Sequence, residues 1–348
     1  MIMERSNSGK KPVLVLGRAG LDLYADPPGT KIEDAWQFFA SLGGSAANIA
    51  AAMSRLGSEV SLVTCVSDDA VGRFTLKQLQ SYAIRIEHVA IVSGESRNSL
   101  AVVESVASDC QSVIYRNGAS DFCLSEEHIN GISFNEFSKL IVTGTSLAQE
   151  PSRGATLLAM RRARAAGIEI IFDVDYRPDS WDNQQQAGAV CRDAIEASDI
   201  VIGNDVEFDV VAGGHGGGDL AELIGRRNGV VAVYKMGEKG SVTFGHGRVF
   251  ETGVFPVRPL KPTGAGDAFM GGFVTGIMAG LDLEAAVKRG TAAAAIVVTR
   301  VGCAPAMPDE AELQQFMSLN KLTRYEAYLN AHFTLYTDKK FKPQSTSS

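Results

Sequence analysis

The sequence has few cysteines, few histidines and no long apolar run, and each shortage excludes a class of protein. Its five cysteines include no Cys-x-x-Cys pair, which is typical of free thiols in a reducing compartment. The five histidines are scattered, so neither a zinc centre nor a histidine-dependent triad is indicated. No uncharged apolar stretch reaches membrane-spanning length, and residues 1–11 lack the apolar core of a signal peptide. We therefore expect a cytoplasmic protein.

Excess basic charge is also absent. The formal net charge is −7, and no basic cluster overrides it, so a nucleic-acid-binding surface is not expected. The apolar fraction of 45% and the charged fraction of 21% are those of an ordinary globular protein. A chain of 348 residues can hold one large α/β domain or two smaller ones.

Short apolar segments alternate between strand-like and helix-like patterns along most of the chain. Strands are predicted at 13–16, 60–66, 140–142, 168–174, 200–202 and 230–235, with helices at 46–56, 155–166, 187–197 and 220–226. Such alternation predicts an α/β fold whose mostly parallel sheet is covered by helices on both faces.

Two segments, at about 18–37 and 95–120, interrupt this rhythm with alternating polar and apolar residues. The pattern is typical of a small antiparallel sheet with one wet face. Such a sheet could be a mobile lid or a fixed surface meander, and the sequence favours neither. The Lys- and Ser-rich tail, residues 334–348, is expected to be disordered.

A glycine-rich turn stands before a helix-like run near residue 265. Gly264, Ala265 and Gly266 are followed at once by Asp267. A tight turn opening a helix binds anions because unpaired backbone N–H groups point at one place. A carboxylate there suits a general base that deprotonates a hydroxyl during phosphoryl transfer. The alternative is an ordinary N-cap aspartate.

A second glycine-rich motif, Gly43 to Asn48, precedes the first predicted helix. Gly43 and Gly44 would let a small ligand approach the backbone, and Asn48 offers both a donor and an acceptor. Asp22, just after the first strand, could accept hydrogen bonds from two neighbouring hydroxyl groups. Together these residues indicate a hydroxylated ligand, although a loop with tight helix packing would also explain the glycines.

The two glycine motifs, in this order and at this separation, resemble the two signatures of the PfkB (ribokinase-like) family of carbohydrate kinases. The resemblance covers roughly residues 11–318. It implies a Rossmann-like three-layer core with a small β-sheet lid, formed by one kinase domain over about 11–325. It also implies transfer of a phosphoryl group from ATP, with Mg²⁺, to a sugar hydroxyl, and a possible homodimer through the lid.

The resemblance also implies roles for individual residues. Asp267 matches the catalytic base, and the backbone of Gly264, Ala265 and Gly266 matches the anion hole. The implied sugar contacts are Asp22, Gly43, Gly44 and Asn48. The implied nucleotide contacts are Asn204, Glu207, Lys235, Gly237, Gly240, Gly264 and Gly266, with Glu207 holding Mg²⁺ through water. Alone, the Asn204–Glu207 pair would be read as a helix cap.

One departure from the family pattern lies just before the turn. Lys261 and Pro262 stand where Asp and Thr are usual, and that Asp normally supports a monovalent-cation site. The hypothesis is that the Lys261 ammonium partly replaces the cation, so that activity depends little on potassium. The alternative is that Lys261 faces solvent.

Three arginines bear on the substrate. Arg18 follows the first strand, Arg116 lies in the second alternating segment, and Arg177 follows a core strand. A guanidinium matches a carboxylate, whereas a neutral sugar does not need one. Arg116 and Arg177 are the carboxylate-binding candidates, and they favour an acid as the substrate. Within the family, the resemblance of residues 17–24, 115–121, 173–178 and 261–267 to one subgroup implies phosphorylation of the terminal hydroxyl of a six-carbon deoxy-keto sugar acid. A 2-keto-3-deoxygluconate kinase, a fructokinase or ribokinase, and a non-catalytic sugar-binding regulator are the alternatives.

Overall fold

The computed structural model of the protein describes residues 11–323, which form two sheets and the helices around them. The predicted disordered tail, 334–348, lies outside the described residues. The strands are β1 (Val13–Leu16), β2 (Gly20–Asp26), β3 (Gln37–Gly43), β4 (Val60–Ser67), β5 (Val89–Val92), β6 (Ser99–Val103), β7 (Ser112–Tyr115), β8 (Lys139–Thr143), β9 (Glu169–Asp173), β10 (Ile200–Asn204), β11 (Val231–Lys235), β12 (Ser241–Gly245) and β13 (Arg248–Thr252).

Helices connect most of these strands. They are α1 (Ser45–Arg55), α2 (Ala70–Ser81), α3 (Glu126–Asn130), α4 (Ser152–Ala165), α5 (Gln184–Glu196), α6 (Asp205–Ala212), α7 (Gly217–Gly225), α8 (Ala265–Met278), α9 (Leu283–Val297) and α10 (Glu310–Leu319). No helix within residues 11–323 is both long and apolar enough to cross a membrane.

The larger sheet has nine strands in the order β13-β12-β11-β10-β9-β8-β1-β4-β5. All neighbours pair in parallel except β11–β12 and β12–β13, which are antiparallel. Strand β1 is apolar along its whole length because both of its faces are buried. Leu14 and Leu16 pack into the core on one face of the sheet, and Val13 and Val15 pack into the core on the other. The predicted α/β fold with a mostly parallel, doubly covered sheet is confirmed.

The smaller sheet has four strands in the order β3-β2-β6-β7. Its outer pairs are antiparallel, as the alternating pattern predicted, but the central pair β2–β6 is parallel. The expected small sheet is therefore confirmed, with the β2–β6 pair as its one parallel departure among the described strands. Strands β2 and β6 follow β1 and β5, which run parallel in the larger sheet, so both chains leave the same edge in the same direction.

Candidate active site

The carboxyl ends of the parallel strands carry the polar residues of the candidate site. Arg18 follows β1, Thr145 follows β8, Asp175 follows β9, Asn204 ends β10 and Lys235 ends β11. Open α/β sheets bind ligands at this edge because the connecting loops diverge there. Helix α8, which begins with the predicted anion-binding turn, completes the site.

The two glycine motifs meet in space. Asn48 Nδ2 donates a hydrogen bond of 2.9 Å to Asp267 Oδ2, although the two residues are 219 positions apart. The contact requires close packing of α1 against α8, and Gly271 permits it because a Cβ at this position would lie 2.4 Å from the Cβ of Ala52. The predicted sugar-binding amide and the predicted base therefore share one site.

The anion-binding turn has the predicted geometry of a helix start. Gly264 is the N-cap of α8, with the left-handed φ of 83° that favours glycine. No side chain within residues 11–323 caps this helix end, so its first N–H groups can bind an anion. Asp267 lies in the first turn of α8 rather than at its N-cap. The alternative reading of Asp267 as an N-cap aspartate was therefore wrong.

The electrostatics of Asp267 suit a base that works near neutral pH. Burial raises the pKa of its carboxyl from 3.8 to about 7, and the charge of Asp175 raises it further. Arg177, the hydrogen bond from Asn48 and the charge of Lys235 oppose this shift. A carboxyl group with a pKa near the working pH can both accept and release a proton efficiently.

Two carboxylates that were not among the predicted site residues, Asp173 and Asp175, lie next to this base. Burial raises the pKa of Asp173, with Lys235 opposing the shift and Glu207 reinforcing it. Asp175 has an unusual positive φ of 37°. It forms an ion pair with Arg177 (2.9 Å) and accepts a hydrogen bond from Thr145 Oγ1 (3.0 Å). Strain of this kind is concentrated at functional sites. The sequence signal was a pair of acidic residues at the end of a buried strand, with Asp173 as the last residue of β9 and Asp175 two residues later.

The predicted nucleotide residues lie on the same edge. Asn204 Oδ1 accepts from the Glu207 N–H (2.9 Å) while Glu207 Oε2 accepts from the Asn204 N–H (2.7 Å), which makes them a capping box of α6. Glu207 is buried, and burial raises its pKa while Lys235 and Arg177 oppose that shift. The pair thus caps α6 and also places a buried carboxylate beside two cations.

Lys235 reaches from β11 towards the anion-binding turn. A Cβ built on Gly266 would lie 3.5 Å from Lys235 Nζ, and Nζ is 5.6 Å from the centre of the Phe269 ring. Gly237 and Gly240, after β11, both have a positive φ (58° and 85°). These two glycines form a turn that other residues would strain.

The sugar-side residues contain two buried oxygens that lack a partner. Tyr24 Oη donates to Asp22 Oδ2 at 3.2 Å, while Asp22 Oδ1 and Asn48 Oδ1 accept no hydrogen bond from any described residue. Buried acceptors are normally satisfied, and sugar hydroxyls are suitable donors. The structure also explains why residue 43 is a glycine, which the sequence did not reveal. A Cβ atom added at this position would lie 1.9 Å from Asp22 Oδ1.

The two arginines predicted to bind a carboxylate are already paired with aspartates. Arg116 is buried and binds Asp121 through Nε (3.0 Å) and Nη2, and it also donates to Ser180 Oγ (3.3 Å). Arg177 pairs with Asp175, and 46% of its side chain is exposed. Their proposed contacts with substrate stay predictions.

Lys261 is fully buried, with 0% of its surface exposed, so the alternative that it faces solvent was wrong. Its Nζ donates to the carbonyl oxygen of Thr263, which directly precedes the anion-binding turn. Burial lowers the pKa of Lys261, and the charges of Cys303 and Asp267 oppose this shift. The Lys261 ammonium thus stabilises the backbone of the turn by a hydrogen bond to Thr263.

Within residues 11–323 no group of three or more His, Cys, Asp or Glu side chains is arranged to hold a metal ion by itself. The acidic groups described above are nevertheless oxygen donors beside a phosphate-type site. This donor set fits Mg²⁺, which usually keeps several waters and binds one or two carboxylates together with substrate phosphates.

The fold, the anion-binding turn and the joined motifs define a class of phosphotransferase. Residues 10–310 match the pfkB family of carbohydrate kinases, and the chain belongs to this family. It is similar to the 5-dehydro-2-deoxygluconokinase of Photobacterium profundum, with 42% identity over 310 residues, 87% of this chain and 94% of the relative. The 5-dehydro-2-deoxygluconokinase of Geobacillus kaustophilus is 33% identical over 90% of this chain and 96% of its own length.

Solved structures agree on the fold. A putative ribokinase II from E. coli in complex with ATP and Mg²⁺ superimposes with a TM-score of 0.79 at 20% identity, over 89% of this chain and 99% of that one. The fructokinase of Xylella fastidiosa with bound ATP gives a TM-score of 0.77 at 23% identity, with the same coverage. The predicted ribokinase-like fold and carbohydrate kinase class are confirmed.

Proposed function

We propose that this kinase transfers the γ-phosphoryl group of ATP to the 6-hydroxyl of 5-dehydro-2-deoxy-D-gluconate, a step of myo-inositol catabolism. The observation that carries the proposal is the hydrogen bond between Asn48 and Asp267. It brings a sugar-binding amide within reach of a base whose pKa is about 7. The names of the relatives, at 33–42% identity over most of the chain, supply the substrate.

Each group at the site has a part in this reaction. Asp267 accepts the proton of the 6-hydroxyl as its oxygen attacks the γ-phosphorus. The N–H groups of the turn at Gly264, Ala265 and Gly266 stabilise the negative charge that develops on the transferred group. Asp22 and Asn48, with Gly43 and Gly44 behind them, orient the sugar hydroxyls through the unpartnered oxygens described above.

The nucleotide is assigned to the other side of the turn. Lys235 neutralises phosphate charge, and Gly237 and Gly240 let the chain approach the triphosphate. Glu207, positioned by Asn204, would hold Mg²⁺ through water. Bound Mg²⁺ would neutralise negative charge on the phosphates of the nucleotide.

Lys261 is assigned the place of a monovalent cation. Its buried ammonium donates a hydrogen bond to the carbonyl oxygen of Thr263. A monovalent cation at this place would attract the same oxygen. The contact with Lys261 fixes the carbonyl group of Thr263, which directly precedes the anion-binding turn.

We also propose that two copies pair through the smaller sheet. Strands β3 and β7 and the residue before β3 expose large aromatic side chains, namely Trp36, Phe38, Phe39 and Tyr115. Exposed apolar patches of this kind mark interaction surfaces. The first four residues of β3, 37–40, are all exposed, so both faces of this part of the strand are accessible to a second copy.

The function is tested with purified protein, MgATP and a substrate panel. We expect ADP release with 5-dehydro-2-deoxygluconate to exceed that with 2-keto-3-deoxygluconate, fructose or ribose in kcat/KM. Asp267→Asn should lower kcat by several orders of magnitude and leave ATP binding nearly unchanged. A preference for another sugar would replace the substrate, and absence of turnover on every sugar would favour a sugar-binding regulator.

A further inference from the structure

Arg18 is a buried cation without an ionic partner in the part of the chain that the structure describes. It lies in the bend between β1 and β2, and only 7% of its surface is exposed. Its guanidinium makes a hydrogen bond of 3.3 Å from Nη1 to Ser99 Oγ. No carboxylate within residues 11–323 comes within the 4.0 Å that defines an ion pair. In this respect it differs from both Arg116 and Arg177.

The main chain of Arg18 is fixed to the sugar-binding motif. Its carbonyl oxygen accepts a hydrogen bond of 3.3 Å from the N–H of Ala47 in α1. Gly44 makes this contact possible, because a Cβ there would lie 2.4 Å from the same oxygen. The guanidinium therefore starts from a rigid anchor within the motif that contains Asn48.

The surroundings of Arg18 are those of the sugar side of the site. Burial raises the pKa of Asp22 to about 6, and Arg18 is the charge that most opposes this shift. Burial lowers the pKa of Arg116, Asp121 opposes that change, and Arg18 lowers the pKa further. The charged neighbours of Arg18 are thus the carboxyl group of Asp22, which lies beyond ion-pairing distance, and the guanidinium of Arg116.

Arg177, in contrast, lies at the reacting end. Asp175 raises its pKa against the effect of burial, and Glu207 and Asp267 add to the increase. A substrate carboxylate beside Arg177 would meet these acidic groups. A substrate whose carboxylate and reacting hydroxyl are at opposite ends of six carbons needs its cation at a distance from Asp267.

We propose that Arg18 is the residue that binds the substrate carboxylate and selects a sugar acid over a neutral sugar. A buried cation without an ion-pair partner destabilises a folded protein, and a substrate carboxylate that pairs with the guanidinium reduces this penalty at the moment of binding. The assignment rests on the proposed function, because it takes the substrate to be a sugar acid.

The test compares an acid with its neutral counterpart. Wild type and Arg18→Met are assayed with 5-dehydro-2-deoxygluconate and with the analogue that carries a hydroxymethyl group instead of the carboxylate. Loss of one partner of a buried ion pair weakens binding by about 30-fold or more, so Arg18→Met should lower kcat/KM for the acid by about 30-fold or more. The neutral analogue should change far less, and Arg18→Lys, which keeps the charge without the fork, should fall between.

Arg116→Met and Arg177→Met are the matched controls. In neither variant should kcat/KM for the acid fall selectively, relative to kcat/KM for the neutral analogue, as it does in Arg18→Met. Equal losses on both substrates in Arg18→Met would make Arg18 a structural residue and overturn the proposal. Selective loss of the acid in either control alone would also overturn it, while the proposed function stands. A wild-type enzyme that does not prefer the acid would overturn both. If Arg18→Met does not fold, Arg18→Lys must still show a selective loss of acid turnover.

Discussion

Asn48 and Asp175 act on the pKa of Asp267 in opposite directions, so substitutions at these two positions should shift the pH profile in opposite directions. The hydrogen bond from Asn48 stabilises the ionised carboxylate, and the charge of Asp175 destabilises it. Because the base must be ionised to accept a proton, kcat/KM should rise with pH and level off above about 7 in wild type.

The size of each shift follows from the contact removed. A hydrogen bond to a charged group is worth about 1.5–3 kcal/mol, and one pKa unit corresponds to about 1.4 kcal/mol. Water can replace part of the lost bond because Asp267 is partly exposed. We therefore expect Asn48→Ala to raise the pKa of the acidic limb of the kcat/KM profile by about one unit. Asp175→Asn removes a negative charge and breaks the ion pair with Arg177. The pKa of the acidic limb should therefore fall by about one unit or more.

The assay is the initial rate between pH 5 and 9 with both substrates well below their KM values, where the profile reports the groups of the free enzyme. Asp22→Asn is the control, because Asp22 titrates at about 6 and its loss should leave the limb of Asp267 in place. Shifts of the same sign in Asn48→Ala and Asp175→Asn, or a limb that moves only in Asp22→Asn, would refute the assignment of Asp267 as the titrating base.

Three further predictions concern stability, cation dependence and assembly. Since the pKa of Asp267 is higher in the folded state than the ordinary 3.8, the folded state loses stability as pH rises from about 4 to about 7. Asp267→Asn should therefore be more stable than wild type at pH 8, by up to about 4 kcal/mol in denaturant unfolding; a difference that does not change with pH would contradict this. Wild-type rates should be nearly equal in sodium and potassium buffers, whereas a steep rise with potassium would contradict the role of Lys261. Because Trp36 is 97% exposed, Trp36→Ser should shift a dimer towards monomer in light scattering and leave the far-UV circular dichroism spectrum unchanged, and a monomeric wild type would contradict the pairing.

The sequence predicted most of the core because its physics is local. Strands buried on both faces are largely apolar, and β1 satisfies this rule along its whole length, as does β8 over Leu140, Ile141 and Val142. The turn before α8 was predictable for a similar reason, since consecutive small residues before an apolar helical run indicate a turn where the backbone can adopt a positive φ. The smaller sheet was recognised from its alternation, but the direction of β2–β6 depends on where two distant connections leave the larger sheet.

The relationships between distant side chains were not predictable. Nothing near Gly43 in the sequence shows that its missing side chain makes room for Asp22, because the two meet only through the packing of β2 against β3. The pairing of Arg116 with Asp121 likewise depends on how the chain turns after β7. Sequence reasoning identified three arginines, but only the structure shows which of them lacks a carboxylate among the described residues.

The distribution of charge also determines the direction in which a sugar acid can bind. Asp267 lies among carboxyl groups, with Asp175 raising its pKa, whereas Arg18 lies on the sugar side without an ionic partner within residues 11–323. A substrate in the reverse direction would place its carboxylate against these acids and leave Arg18 unpaired, and juxtaposed like charges cost several kcal/mol. The same charges that assist binding in one direction therefore oppose it in the other. This polarity selects the terminal hydroxyl for phosphorylation without any contact dedicated to rejecting the alternatives.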